Sequence, residues 1–315
     1  MTERNDVRPK ILVAVFLAVT GCVGEAPSPQ TSEQGPTPAA GPVRNFDDRI
    51  YERNVVFMTM GADSAIIVPW LLRSAGSAQG VERTAEAWLA RAGIWEPFFT
   101  DRWDSPATRS PFRVHPHGPM DLVVGPDGAL EEILYEEGPR QLGVIIDEGM
   151  SDWSGNLGET FRVHQGAAHF GDQRIEGLIL DMNRIHRREG PAPGEWMFLT
   201  GAGRLALVIV ETGESSTYTA WGRWGEEEYR WPEMEVEWSA VRSFEEARRD
   251  VPVGWELNTP DRALSLSLVS AGMELRTGAG EGPLLPVEGL YQVSGSLVLA
   301  GDSIKVHGLV RHLQR

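Results

Sequence analysis

From Phe112 to the end of the chain, apolar and β-branched residues come in short runs, broken by Gly, Pro, Asn and Asp at intervals of about ten residues. Breaks that close leave no room for the dozen or more residues of a βαβ crossover, so successive runs must pair antiparallel. The hairpin chemistry is explicit at Leu122-Val-Val-Gly-Pro-Asp-Gly-Ala-Leu130, where Pro126 presets φ and Gly128 tolerates a positive φ. Further runs lie at 141–147, 160–164, 176–186, 196–200, 204–211, 216–221, 234–238, 255–258, 264–269, 289–300 and 303–312. In Leu264-Ser-Leu-Ser-Leu268 the apolar residues alternate strictly, which turns one face to a core and the other to water. Many antiparallel strands without a βαβ rhythm indicate a mainly β sandwich or barrel architecture. No Gly-rich loop stands between a strand and a helix, so a nucleotide-binding Rossmann or P-loop site has no support.

The stretch before it reads differently. Tyr51 to Met60 has the composition of a strand, but 65–72 and 81–92 read as helices. In the second, Val81, Ala85, Trp88, Leu89 and Ala92 fall on one face of a 3.6-residue period, and Gly93 serves as a stop. A short helix is also expected at 243–249. Residues 45–108 are therefore read as a helical N-terminal extension.

The first ten residues carry Arg4, Arg8 and Lys10 and lead into the apolar run Ile11 to Thr20. That run is half of what a membrane-spanning helix needs, but it suits the apolar region of a secretion signal. It ends Val19-Thr20-Gly21-Cys22, which resembles the bacterial lipobox and implies a signal peptide over 1–21, with Cys22 acylated as the first mature residue. Residues 22–44, rich in Pro, Ser, Thr and Gln, read as an extended tether. The expected address is the cell envelope, lipid-anchored to a membrane, with the outer membrane preferred because Val23 rather than Asp follows the cysteine. Cys22 is the one cysteine of 315 residues, so no internal disulfide can form. A net charge of −16 argues against nucleic acid as a partner.

For chemistry, the eleven tryptophans stand out against five tyrosines. Trp153, Trp196, Trp221, Trp224 and Trp238 lie in or beside expected strands and, with His164, are candidates to line an apolar pocket; plain core packing is the other reading. Along 176–186 a period of two places Glu176, Arg184 and His186 on one face and Asp181 on the other. If that face lines a pocket, a carboxylate and an imidazole could protonate or hydrate an alkene; a solvent-exposed face is the plainer alternative. His115-Pro-His117 offers two ligands at most, so no metal and no cofactor is expected. No serine sits in a Gly-x-Ser-x-Gly elbow.

Taken together, Asp152-Trp-Ser-Gly, Gly177-Leu-Ile-Leu-Asp-Met, Trp221-Gly-Arg-Trp, Pro252-Val-Gly-Trp255, Leu264-Ser-Leu-Ser-Leu, Gly289-Leu-Tyr-Gln-Val-Ser-Gly-Ser and His307-Gly-Leu-Val resemble the lipocalin-like double-barrel family of the hydroxyneurosporene synthase (carotenoid hydratase) type. The chain departs from that pattern at Tyr291 and in its last strand, where the family carries Trp-Glu and Tyr-x-Glu. The resemblance implies two lipocalin-like antiparallel β-barrels, one over 109–199 and one over 200–315. Three functions follow as expectations. The first is binding of a hydrophobic small molecule such as a lipid or isoprenoid. The second is a hydratase or cyclase acting on such a molecule, and the third an envelope scaffold with filled barrels.

Overall fold

The computed structural model describes residues 49–315 apart from 62–64, 78–79, 106–116, 126–127, 157, 190–193, 213–216, 279 and 281. Cys22, the signal and tether segments and His115 lie outside these residues. Seventeen strands, and among the described residues no helix, make two antiparallel bodies. The first is a curled nine-stranded sheet in the order β4-β3-β2-β1-β9-β8-β7-β6-β5. Its strands are β1 (Arg49–Thr59), β2 (Ile66–Ser77), β3 (Gly80–Arg91), β4 (Ile94–Ser105), β5 (Met120–Val124), β6 (Leu130–Glu137), β7 (Arg140–Ser154), β8 (Thr160–Phe170) and β9 (Gln173–Arg187). The second is a closed eight-stranded barrel of β10 (Trp196–Gly201), β11 (Leu205–Thr212), β12 (Thr217–Trp224), β13 (Glu227–Phe244), β14 (Arg249–Asn258), β15 (Leu264–Thr277), β16 (Val287–Leu299) and β17 (Asp302–Gln314), with β17 pairing back onto β10.

The helical extension is thus corrected: 65–72 and 81–92 belong to β2 and β3, and β1 to β4 are part of the first sheet. The misreading has a physical cause. Positions 81, 85 and 89 satisfy a period of two as well as one of 3.6, and in β3 burial alternates residue by residue over its first half. The unbroken apolar run of β2 arises because that sheet is covered on both faces. Val68, Trp70 and Leu72 face the inside of the first body, and Ile67 and Leu71 face the second. Ala92 (φ 51°) and Gly93 (φ 80°) form the tight β3–β4 turn, a hairpin signature rather than a helix stop. The expected helix at 243–249 is the β13–β14 turn, closed by Ala247 N–H to Phe244 O at 3.1 Å. The first body accordingly runs from β1 to β9 rather than starting near 109, and the second begins at Trp196.

Three cores result. One lies inside the first body (Val55, Phe57, Trp70, Ile179) and one inside the barrel (Met197, Leu207, Trp255, Leu266). The third is the seam between them, where Val56, Leu180 and Phe161 meet Phe198, Val208 and Trp221. The barrel's far end is turned tightly over 202–204, 225–226 and 300–301.

Polar links cross the seam as well. His307 Nε2 donates to Thr59 O at 2.8 Å, and Gln292 Oε1 accepts the Gly93 N–H at 2.8 Å. Gly93 meets Gly272 so closely that a Cβ on Gly272 would lie 1.8 Å from Gly93 O. Inside the first body, Arg53 and Asp181 form a two-pronged ion pair at 2.8 and 2.6 Å, with side chains 2% and 0% exposed.

Candidate active site

At one end of the seam a cleft of about 510 Å³ opens between the two bodies, a volume typical of small-molecule sites. Alternation along β1 sends Arg53 and Val55 into the first body and Glu52 and Asn54 outward to the seam. On β9 it sends Arg184 and His186 the same way, Glu52 pairing with Arg184 across the ladder. From the barrel, β16 contributes Glu288 and β17 contributes Arg311 and Leu313. Ile50, Leu71 and Leu72 add apolar wall, and Arg73, Glu86, Arg188 and Arg315 complete the charged lining.

The floor of the cleft holds an acid and a base. Glu52 Oε1 lies 3.7 Å from His186 Nε2, and both side chains are mostly buried. Burial pushes the Glu52 carboxyl upward, but the contact with His186 and the charges of Arg311 and Arg184 overcome it and hold the group at about 2 against an ordinary 4.5. Arg184, itself only 4% exposed, is anchored by its NH1 on Gly194 O at 3.3 Å. Arg311 is clamped by Glu288 Oε1 at 2.6 and 3.2 Å and reaches Asn54 Oδ1 at 3.5 Å. Among the described residues, Glu52 Oε2, Asn54 Nδ2 and His186 Nε2 have no hydrogen-bond partner although buried. Four arginines face three glutamates in the lining, a local +1 in a chain of −16. Such a site can donate and accept a proton at one point and hold a negatively polarised group beside it.

Of the expected trio, His186 lines the cleft, and Arg184, on the same face of β9, sits buried opposite Glu52. The structure does not bring Glu176 here; it is exposed and paired with Arg174 at 2.7 Å. Although on the same face, it is ten residues from His186, roughly 33 Å along an extended strand. Glu52, the carboxylate that does meet His186, lies 134 residues earlier in the sequence. Its one local signal is that Tyr51-Glu-Arg-Asn54 puts polar groups on both faces of an otherwise apolar strand.

The tryptophans divide by face. Trp153, Trp196 and Trp221 are buried in the seam, with Trp221 tilted on Phe161 at 4.7 Å. Trp224 packs at the tightly turned end of the barrel, and Trp238 stands partly exposed at the other. His164 points into the first body, where burial lowers its pKa against the opposing field of Asp181. His117 stacks on Trp103 with ring centroids 4.2 Å apart and lies 3.1 Å from Asp101. Among the described residues no three His, Cys, Asp or Glu side chains are grouped to hold a metal.

A curled open sheet packed on a closed eight-stranded barrel is a lipocalin-like double-barrel fold. Solved structures share this fold. Kievitone hydratase from Nectria haematococca superposes with a TM-score of 0.52 at 12% identity, over 85% of this chain and 88% of its own. A Nitrosomonas europaea protein provisionally assigned as AttH gives 0.55 at 11%, over 88% and 98%. CghA in complex with Sch210972 gives 0.53 at 11%, over 85% and 88%. At these identities the likeness is one of fold. No family profile matches the sequence, and no curated protein matches it.

Proposed function

We infer that the protein is a proton-transferring enzyme of the hydratase or cyclase kind, acting in the cleft on a hydrophobic small molecule that carries a negatively polarised group. The observation that carries this reading is the Glu52–His186 pair, set 3.7 Å apart on the floor of a 510 Å³ cleft. That kievitone hydratase uses the same fold supports an enzymatic role, and that CghA is found with Sch210972 supports a small-molecule site on it.

In a hydration, the His186 imidazolium delivers its proton to one alkene carbon and water adds to the other. The proton that the added water sheds returns to the ring, so the acid is regenerated. The ionised Glu52 stabilises the charged ring, and Arg311 and Arg73 hold the anionic end of the substrate. Ile50, Leu71 and Leu313 accept the carbon skeleton. In a cyclisation the same proton delivery starts ring closure without water.

The test uses lipid extract of the cells that make the protein, incubated with purified protein in heavy-oxygen water and followed by mass spectrometry. A compound should gain one labelled water, or change retention at constant mass, with wild type and not with His186→Gln. Identical profiles for the two proteins would refute the reading. Lipid attachment at Cys22, which would hold the enzyme at a membrane, is a separate proposal.

A further inference from the structure

The end of the barrel that holds the start of β10 and the end of β17 carries polar side chains that the cleft does not use. Alternation turns Glu195, Trp255, Tyr291 and His312 inward there, each no more than 3% exposed. His312 Nδ1 lies 2.5 Å from Glu195 Oε2, and the Tyr218 hydroxyl donates to the other carboxylate oxygen at 3.4 Å. Tyr291 stands edge-on to Trp255 at 5.3 Å and to His312 at 6.2 Å. Its ring folds back over Gly289, where a Cβ would lie 2.6 Å from Tyr291 Cε2. Trp238, 42% exposed, marks the rim, 5.6 Å from the His312 ring.

Three buried polar atoms on these adjacent rings, His312 Nε2, the Tyr291 hydroxyl and Trp255 Nε1, have no partner among the described residues. Buried polar groups in native proteins are nearly always satisfied, so three on neighbouring rings mark a place built for a polar ligand atom. We propose that this end of the barrel is a ligand site, separate from the cleft, for a neutral apolar molecule bearing a hydroxyl group. The Glu195 carboxylate accepts from His312 Nδ1, and in the tautomer this contact fixes, Nε2 is the acceptor for the ligand's hydroxyl hydrogen. Tyr291 and Trp255 donate to its oxygen. Met234, Leu268 and Val310 below them take the carbon skeleton. Unlike the arginine-lined cleft, this end carries Glu195 and Glu211, whose fields, after burial, raise the Tyr218 pKa. Anions are therefore disfavoured.

The test is a fluorescence titration of the whole protein with 2-naphthol, its methyl ether and 2-naphthoate. The naphthol should bind about tenfold more tightly than the ether, the worth of one buried hydrogen bond, and the naphthoate should not compete. His312→Phe should erase the preference for the hydroxyl. Tyr291→Phe, which deletes one oxygen and keeps the packing, should weaken naphthol and ether alike by severalfold. Absence of naphthol binding, an unchanged preference in His312→Phe, unchanged affinities in Tyr291→Phe, or tighter binding of the naphthoate would each overturn the proposal. Should His312→Phe fail to fold, Tyr291→Phe decides alone.

Discussion

The buried pair of Arg53 and Asp181 offers a quantitative check on how the first body is held together. Both side chains are sealed from water, with two charge-assisted bonds at 2.8 and 2.6 Å. Replacing Asp181 by Leu strands a guanidinium in the sheet interior, and Arg53→Met strands a carboxylate. Either change should cost about 3–5 kcal/mol, because the loss is dominated by the charge left without its partner. The double replacement removes both charges and should cost much less than the sum, leaving a coupling of about 3 kcal/mol or more. For a body of this size each kcal/mol moves the melting midpoint by roughly 2–4 °C, so the single variants should melt at least about 6 °C lower and the double variant should recover most of that. Urea and thermal unfolding followed by tryptophan fluorescence measure all four proteins. Additive losses, or single variants within about 1 kcal/mol of wild type, would show that water or another group solvates these charges and that the interior assignment is wrong.

Glu52→Gln should lower stability at neutral pH by about 3 kcal/mol, the worth of holding a carboxyl at about 2 against 4.5. Because the folded pKa is depressed, wild type keeps this advantage above pH 4.5 and loses it as pH falls toward 2, so urea midpoints of the two proteins should converge over that window. Gly272→Ala drives a methyl against Gly93 O, 1.8 Å from its ideal position, and should cost about 2–3 kcal/mol by overpacking at the seam; an unchanged melting curve would show that the two bodies are not locked there. Cys22→Ala should release the protein from membranes on fractionation, and wild type should carry acyl chains by mass spectrometry; membrane partition of the variant alongside an unmodified wild type would remove the anchor.

What the sequence disclosed follows from which signals are local. Turn residues and strict alternation, as in Leu264-Ser-Leu-Ser-Leu268, reveal strands because they depend only on neighbours, and the antiparallel architecture followed. The Ala-rich β3 was ambiguous because small residues fit a helix face and a tightly packed sheet equally well. Periodicity placed Arg184 and His186 on one face; in the structure His186 lines the cleft and Arg184 pairs with Glu52 across the ladder without lining it. Periodicity did not show that Glu176 stands apart from His186, because a shared face says nothing about separation, nor that Glu52 is near, because Glu52 reaches His186 only through the β1–β9 ladder. Glu195 and His312 are likewise 117 residues apart, and no spacing rule connects residues that barrel closure brings together.

The pairing of β1 with β9 also sets a timetable for synthesis. Residues 49–59 cannot find their second neighbour until 177–187 have been made, so β1 to β4 must wait as a meander with one flank of β1 unsatisfied. The barrel cannot close until its last strand, β17, reaches β10. Such long-range closures are slow, and an unpaired strand flank invites pairing with other chains while it lasts. A chain built this way should depend on chaperoning during its biogenesis more than its finished stability would suggest, and a truncation within β17 should harm its yield more than one of similar length at the amino terminus.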